Sequence, residues 1–326
     1  MDNLNPKDLR QKAQMALRRG REPKKLIYTF AGIQLAMSVL LYAVNFWLDG
    51  QIAATGGLSN LGTRAIFSTA KQALPPLSFC VTMCLDLGFL AGLMRICRGQ
   101  YADHTDLKTG FQKFWSLVRL MLIQSVLYFA ISFLVIQLGS LLFLFTPWAD
   151  PLMDVLYPLT MSESAVMDEA VLMELAGHMG PLFIFLGVVF LIALIPFLFR
   201  MRMAFFCLLD DSQGRAMAAI RESSRMMRRR FGQMLKLDIS LWLYHAATAL
   251  SLLVLYGDLF LALLGIDLGL DFQVLGFIAM MGSSLIQFAA TLFLRPQAEV
   301  TYLTVYDALR ERQQDSGVVL GNIFDM

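Results

Sequence analysis

The stretch PLFIFLGVVFLIALIPFLF, residues 181–199, decides the fold of this chain. It contains no charged side chain and is followed directly by Arg200. An α-helix rises about 1.5 Å per residue, so about 20 apolar residues are needed to cross a hydrocarbon layer of about 30 Å. The stretch therefore predicts a membrane-spanning helix.

The rest of the chain has the same character. Of its 326 residues, 57% are hydrophobic and only 16% are charged, whereas soluble domains average about 25% charged residues. The apolar runs lack the alternation of barrel strands, and a helix satisfies its own backbone groups in lipid. The predicted fold is all-α, a polytopic bundle of six transmembrane helices at residues 26–48, 77–97, 115–145, 181–199, 235–255 and 274–294.

The distribution of basic residues predicts the orientation. If the six spans are correct, 25 of the 27 Lys and Arg lie on one side of the membrane, and only Arg64 and Lys71 lie on the other. Basic residues near membrane-spanning helices concentrate on the cytoplasmic side. Both termini are therefore expected in the cytoplasm.

The same pattern divides the chain into three regions, which are a basic cytoplasmic N-terminal helix at 1–25, the six-span domain at 26–312 and a flexible cytoplasmic tail at 313–326. The outward connection at 147–180 is acidic and has no Lys or Arg. Within it, Thr160 and Glu163 fit a capping box ahead of a short amphipathic helix ending near Ala176.

The connection between spans four and five carries the densest cluster of arginines. A helix at 214–230 would place Arg221, Arg225, Arg228 and Arg229 on one face, opposite an apolar face that includes Ile220. This pattern is typical of an amphipathic helix that lies at the membrane interface and meets anionic lipid headgroups or a protein partner. A nucleic-acid role is not favoured, because the chain has no soluble basic domain.

Three of the ionisable residues within the predicted spans form a candidate polar site, namely Asp86 in span two and Asp238 and His245 in span five. Charges inside a membrane are costly and are functional candidates for that reason. The alternative role is interhelical hydrogen bonding that fixes helix packing. Asp86 and His245 are expected at similar depth, which predicts that they pair.

Small residues four positions apart form a ridge on span two, at Cys84, Gly88 and Gly92, and Gly276 and Ser283 form a similar stripe on span six. Such ridges allow close helix approach in lipid, so helix packing is the expected role. Motifs of hydrolases, nucleotide-binding proteins and metalloproteases are absent, and no cysteine pair has zinc spacing with His. No catalytic, cofactor-binding or metal-ligating residue is predicted.

The region after the arginine cluster resembles a bacterial integral membrane family catalogued as domain of unknown function 975. The similar residues are Ser224, Met226, Met227, Arg228, Leu237, Ile239 and Ser240. The N-terminal helix around Leu9–Leu17 and the tail with Tyr306 and Leu309 also resemble the ends of that family. The resemblance implies six spans in a bacterial cytoplasmic (plasma) membrane and brings no established activity or site.

These observations favour a non-enzymatic protein with a structural or regulatory role in the bacterial envelope. Its expected partners are the lipid bilayer and anionic headgroups, with no nucleic acid and no cofactor. The alternative is a small-solute or proton-coupled transporter, or a permease-like subunit, that uses the polar residues of spans two and five. Against transport, the sequence shows no paired spans interrupted by Gly or Pro in corresponding halves.

Overall fold

The computed structural model describes residues 5–19, 23–55, 61–161, 169–211, 213–228, 230–257 and 272–315. Across these residues the chain is helical and contains no strand, which confirms the all-α polytopic prediction. The helices are α1 (Pro6–Arg19), α2 (Pro23–Ala54), α3 (Leu61–Cys97), α4 (Lys108–Gln112), α5 (Phe114–Phe143), α6 (Ala149–Met161), α7 (Glu169–Met201), α8 (Ala204–Asp210), α9 (Ala216–Met227), α10 (Phe231–Ser240), α11 (Trp242–Leu255), α12 (Phe272–Phe293) and α13 (Arg295–Asp315).

Five of the described helices are long and apolar enough to cross a membrane, namely α2, α3, α5, α7 and α12. The predicted boundaries agree with most of them, but α3 begins 16 residues before the predicted start of span two and continues through Pro75 and Pro76. A sixth crossing exists only if α10 and α11 count as one bent span.

The prediction of one continuous helix at 235–255 is wrong. The chain bends by 74° between α10 and α11, at Ser240 and Leu241, without a Gly or Pro. At the break, a backbone carbonyl accepts a hydrogen bond from a side chain of another helix. The guanidinium of Arg10, on α1, donates a hydrogen bond to the carbonyl oxygen of Ser240 at 3.0 Å. This bond satisfies a carbonyl that the broken helix leaves open.

The chain forms two compact units. The first combines Met1–Leu117, Phe205–Gly214 and Gly232–Met326. Its core surrounds the C-terminal part of α3, where Leu87, Phe89 and Leu93 are fully buried. Helices α1, α2, α4 and α13 pack around that part of α3.

The second unit combines Val118–Ala204 and Arg215–Phe231. Helices α6 and α7 pack together, and α9 packs on α7. A small core forms where the end of α5 meets α6, from Phe143, Ala149 and Leu152.

Two predicted segments fall partly outside the described residues. The capping box beginning at Thr160 includes Ser162 and Glu163, which are not described, and the structure has α6 just before this point. The predicted tail at 313–326 overlaps the end of α13, and residues 316–326 are not described.

Candidate functional site

Asp86 lies on α3 and is held by two side chains from other helices. Arg295, the first residue of α13, donates a hydrogen bond to its Oδ1 at 2.9 Å. The amide of Gln34 on α2 donates to the same oxygen at 3.2 Å. The side chains of Arg295 and Asp86 are only 16% and 22% exposed. The negative charge of Asp86 is therefore compensated by the positive charge of Arg295 inside the protein.

Two aromatic rings complete the surroundings of Arg295. Phe30 and Phe89 stack with their centroids 4.1 Å apart. The guanidinium carbon lies 5.1 Å from the centroid of Phe30 and 5.6 Å from that of Phe89. Both distances fall within the range of a cation–π contact. Burial lowers the pKa of Arg295, but the negative charges of Asp86 and Glu299 outweigh this effect and raise it, so the arginine stays charged.

The predicted pairing of Asp86 with His245 is wrong. The bonds to Asp86 come from Arg295 and Gln34, on α13 and α2. The physical reason is charge, because a permanent cation compensates a buried carboxylate better than an imidazole that loses its charge near neutral pH.

His245 and Asp238 instead belong to a second cluster, at the break between α10 and α11. The hydroxyl of Tyr302, on α13, donates to Asp238 Oδ1 at 2.7 Å and lies 3.3 Å from His245 Nε2. His245 Nε2 is 3.9 Å from Asp238 Oδ1. Tyr302 is buried, whereas the His245 side chain is 42% exposed. The structure thus brings together two of the three predicted polar residues and places Asp86 elsewhere.

A third ionic cluster has no counterpart in the sequence interpretation. Arg98, just after α3, donates to both carboxylate oxygens of Asp210 at 2.6 and 2.9 Å and to Asp307 at 2.8 Å. Tyr306 donates to Asp210 at 2.8 Å, and Arg310 also forms an ion pair with it. The hydrogen bond from Arg98 to Asp210 is the main cause of the raised pKa of Arg98. Three segments distant in sequence are joined here.

Lys113 closes the end of α8 next to this cluster. Its ammonium donates to the carbonyl oxygens of Leu208, Leu209 and Asp211 at 3.0, 2.8 and 3.1 Å. Burial lowers the pKa of Lys113 despite the nearby carboxylates. A lysine in this place satisfies the open carbonyls at a helix C-terminus and complements the helix dipole. Its role in the structure is therefore stabilising.

The arginine-rich helix α9 is amphipathic as predicted, but its apolar face is not free for lipid. Ala219, Ile220 and Ser223 are buried. The Ser223 hydroxyl donates to the carbonyl of Arg200 at 2.6 Å, which ties α9 to the end of α7. The protein itself covers this face, so the face is not free to insert into the membrane interface.

The predicted helix at 214–230 is shorter in the structure and ends at Met227, so Arg221 and Arg225 lie on it and Arg228 follows it. Arg221 and Arg228 are exposed, and Arg225 lies 3.7 Å from the carboxylate of Glu222. Arg229 falls outside the described residues. The exposed guanidinium groups are available to a phosphate or carboxylate from outside the chain.

The small-residue ridge of α3 makes close packing contacts. A Cβ added at Gly88 would overlap the backbone of Leu107, and one added at Gly110 would overlap the carbonyl oxygen of Cys84. Gly92 packs against Leu26 of α2. The ridge therefore packs mainly against the short segment that contains α4 and against the start of α2.

The two ends of the small-residue stripe on α12 differ in how closely they pack against other helices. Ser283 is buried, and its hydroxyl lies 2.9 Å from that of Ser251 on α11. A Cβ added at Gly276 would meet nothing within 4 Å. Only the Ser283 end of this stripe makes a close interhelical contact.

No family model matches the chain, and neither curated proteins nor solved structures show a similarity to it. The resemblance to domain of unknown function 975 stays a prediction. Within the described part of the chain, no cluster of three or more His, Cys, Asp or Glu side chains is arranged to hold a metal ion.

Proposed function

We propose that this chain is a non-enzymatic protein of a bacterial cytoplasmic membrane, with both termini in the cytoplasm and a structural or regulatory role in the envelope. Its contact with the membrane surface is the α9 arginine surface, defined here as Arg221 on α9 and Arg228 directly after it. The observation that carries the proposal is the arrangement of α9, with one face buried and its arginines outward.

This arrangement determines how the surface would bind. A helix with a free apolar face binds lipid partly by insertion, whatever the lipid charge. The apolar face of α9 is covered, so binding rests on electrostatic attraction between guanidinium groups and anionic headgroups. Each basic residue near an anionic leaflet contributes about 1 kcal/mol, and salt screens the attraction. Binding should therefore depend on lipid charge and on ionic strength.

The test compares lipid binding by the full chain in detergent, measured by native mass spectrometry with phosphatidylglycerol and phosphatidylcholine. Arg221→Gln together with Arg228→Gln removes two charges, so affinity for phosphatidylglycerol should fall about 30-fold at about 1 kcal/mol per charge. Phosphatidylcholine binding should stay unchanged.

Arg64→Gln is the matched control, because Arg64 is equally exposed and lies on the opposite predicted side of the membrane. It should leave binding unchanged. Equal phosphatidylglycerol affinity of the double variant and the wild type would contradict the proposal.

A second function, transport of a small solute or of protons, is favoured by the break between α10 and α11. Discontinuous helices form the substrate and ion sites of many transporters. Here the break lies beside Asp238, Tyr302 and His245, which can exchange a proton among a carboxylate, a phenol and an imidazole. Such a cluster is a chemically reasonable proton site.

The test measures proton flux into liposomes that contain the protein and a trapped pH dye. His245→Gln should abolish flux if the cluster relays protons, whereas Thr248→Val on the same helix should not. Absence of flux above protein-free liposomes in the wild type would eliminate proton transport and leave the structural function standing.

A further inference from the structure

A cavity of about 110 Å³, lined by both polar and apolar side chains, lies between α2, α3 and α12. Five polar side chains line it, together with apolar residues such as Leu41 and Phe288; the five are Gln34, Ser38, Thr82, Ser284 and Gln287. All three helices are long and apolar enough to cross a membrane. Polar groups on three such helices therefore converge on one space.

The hydrogen bonds of these side chains are only partly satisfied by the protein. Gln34 donates to Asp86, and the Ser38 hydroxyl donates to the carbonyl of Gln34 at 3.0 Å. In the described part of the chain, the side chains of Thr82, Ser284 and Gln287 form no hydrogen bond with another residue. These three side chains, on α3 and α12, therefore have hydrogen-bond donors and acceptors that can bind a molecule from outside the chain.

The bilayer cannot supply these partners. Lipid tails offer no hydrogen bonds, and polar groups that face them are costly. Water or a polar solute would satisfy all three side chains. The cavity volume equals that of roughly four water molecules at about 30 Å³ each.

The charge of the cavity limits what it can hold. Its described lining contains amides and hydroxyls and no charged side chain. The carboxylate of Asp86, which accepts a hydrogen bond from the lining residue Gln34, is already paired with Arg295. An ion would find no opposite charge, whereas a neutral molecule with donors and acceptors would match the amides and hydroxyls.

We propose that this cavity is a binding site for a small uncharged solute that carries hydroxyl or amide groups. The site goes beyond the lipid contact of α9 and does not require transport, because binding alone satisfies the polar lining. It adjoins the Asp86–Arg295 pair, because its lining residue Gln34 donates to Asp86 and its lining residue Thr82 precedes Asp86 by four positions on α3.

The experiment places a cysteine in the cavity, in a background without Cys80, Cys84, Cys97 and Cys207. Ser284→Cys should react with aminoethyl methanethiosulfonate at least tenfold faster than Leu285→Cys, because Leu285 is 55% exposed on an apolar helix, outside the cavity lining, where we expect lipid to surround it. Glycerol and urea, as small neutral probes, should slow the Ser284→Cys reaction at least threefold. They should not slow the reaction of Gln213→Cys, an exposed position outside the cavity.

A second pair protects the test against a misfolded variant. Ser38→Cys on α2 should behave like Ser284→Cys, and Val39→Cys, which is 46% exposed, like Leu285→Cys. Gel filtration shows which variants are folded. Two results overturn the proposal: equal reactivity of the cavity and control cysteines, which means a dry cavity, or faster reaction that neither solute slows, which means a site for water alone.

Discussion

The two parts of α3 both carry many apolar side chains but have opposite surroundings. In residues 61–83, large apolar side chains such as Ile66, Leu77 and Phe79 are 69%, 62% and 50% exposed. In residues 84–97, Cys84 and Leu93 are 1% and 0% exposed. The first part leaves these apolar side chains exposed at the protein surface, and the second buries them in protein.

The difference shows that hydropathy alone does not locate the membrane on this helix. At about 1.5 Å per residue, the 37 residues of α3 span about 55 Å, which exceeds a hydrocarbon core of about 30 Å. Part of α3 therefore extends beyond the bilayer. The exposed apolar side chains that follow the Lys71–Asp49 ion pair, among them Leu77 and Phe79, favour residues 72–83 as a part of α3 in lipid.

The largest effect is expected in the labelling of single cysteines along α3. At each position, labelling should be either complete or absent. With the native cysteines removed, Thr63→Cys should react with an impermeant maleimide in intact cells. Leu77→Cys should not react in any condition, because lipid surrounds it. Gln100→Cys should react only after permeabilisation. Labelling of Gln100→Cys in intact cells would contradict the orientation, and labelling of Leu77→Cys would contradict the placement of the bilayer.

The second-largest effect is expected when the ion pairs of the two parts of α3 are removed. Arg295→Gln leaves Asp86 as an unpaired buried charge, which should cost about 3–5 kcal/mol in the free energy of unfolding. Adding Asp86→Asn should recover most of that loss. Lys71→Gln disrupts the ion pair of Lys71 with Asp49, whose side chains are 42% and 48% exposed, and should cost less than about 1 kcal/mol.

Reversible unfolding in detergent micelles measures these three free energies. Equal losses for Arg295→Gln and Lys71→Gln would mean that the two parts of α3 do not differ in burial energy.

Glycine substitutions in the two parts of α3 should give the third-largest effect, a difference in stability. A Cβ at Gly88 overlaps the backbone of Leu107, so Gly88→Ala should destabilise by about 1–3 kcal/mol through overpacking. At Gly62, an added Cβ meets nothing within 4 Å, so Gly62→Ala should be neutral or stabilising by up to about 1 kcal/mol. Thermal unfolding followed by circular dichroism gives both values. A neutral Gly88→Ala would show that the backbone around Leu107 does not pack tightly on α3.

The smallest effect concerns the cap of the short 3₁₀ helix, His104–Leu107, that covers the buried part of α3. Asp103 accepts a hydrogen bond from the backbone N–H of His104 at 2.7 Å, and this bond is the main cause of its lowered pKa. A carboxyl with a lowered folded pKa stabilises the protein above its unfolded pKa of about 3.9 and loses that effect as pH falls through the folded value.

Asp103→Ala should therefore lower the melting temperature slightly at pH 7, and the difference from the wild type should shrink below about pH 4, near the unfolded pKa of aspartate. Asp154→Ala, an exposed substitution outside the cap, provides the reference. A difference that grows on acidification would contradict the sign of the effect.

The features that the sequence predicted are local ones. Each apolar run of about 20 residues identifies a span without reference to the rest of the chain, so the all-α polytopic fold follows from the runs alone. The amphipathic character of α9 was equally visible, because Ile220 and Arg221 belong to one short helix.

The features that the sequence did not predict depend on distant residues. Arg295 follows the last span directly and was interpreted as a topology signal, although it is the partner of Asp86, 209 positions away. The break after Ser240 carries no Gly or Pro, and the carbonyl it exposes is satisfied by Arg10. One signal in the sequence could have located the contact between Arg295 and Asp86. It is a single arginine at the end of one apolar run together with a single carboxylate within another.

The hydrogen bond between Arg10 and Ser240 also constrains the order in which the protein is made. The two residues are 230 positions apart, and at about 5–20 residues per second their synthesis is separated by roughly 10–50 seconds. During that interval α1 has left the ribosome but lacks the carbonyl that it will bind. The first unit, built from three separate segments of the chain, therefore assembles after the second has emerged, and its first helix is among the last to dock.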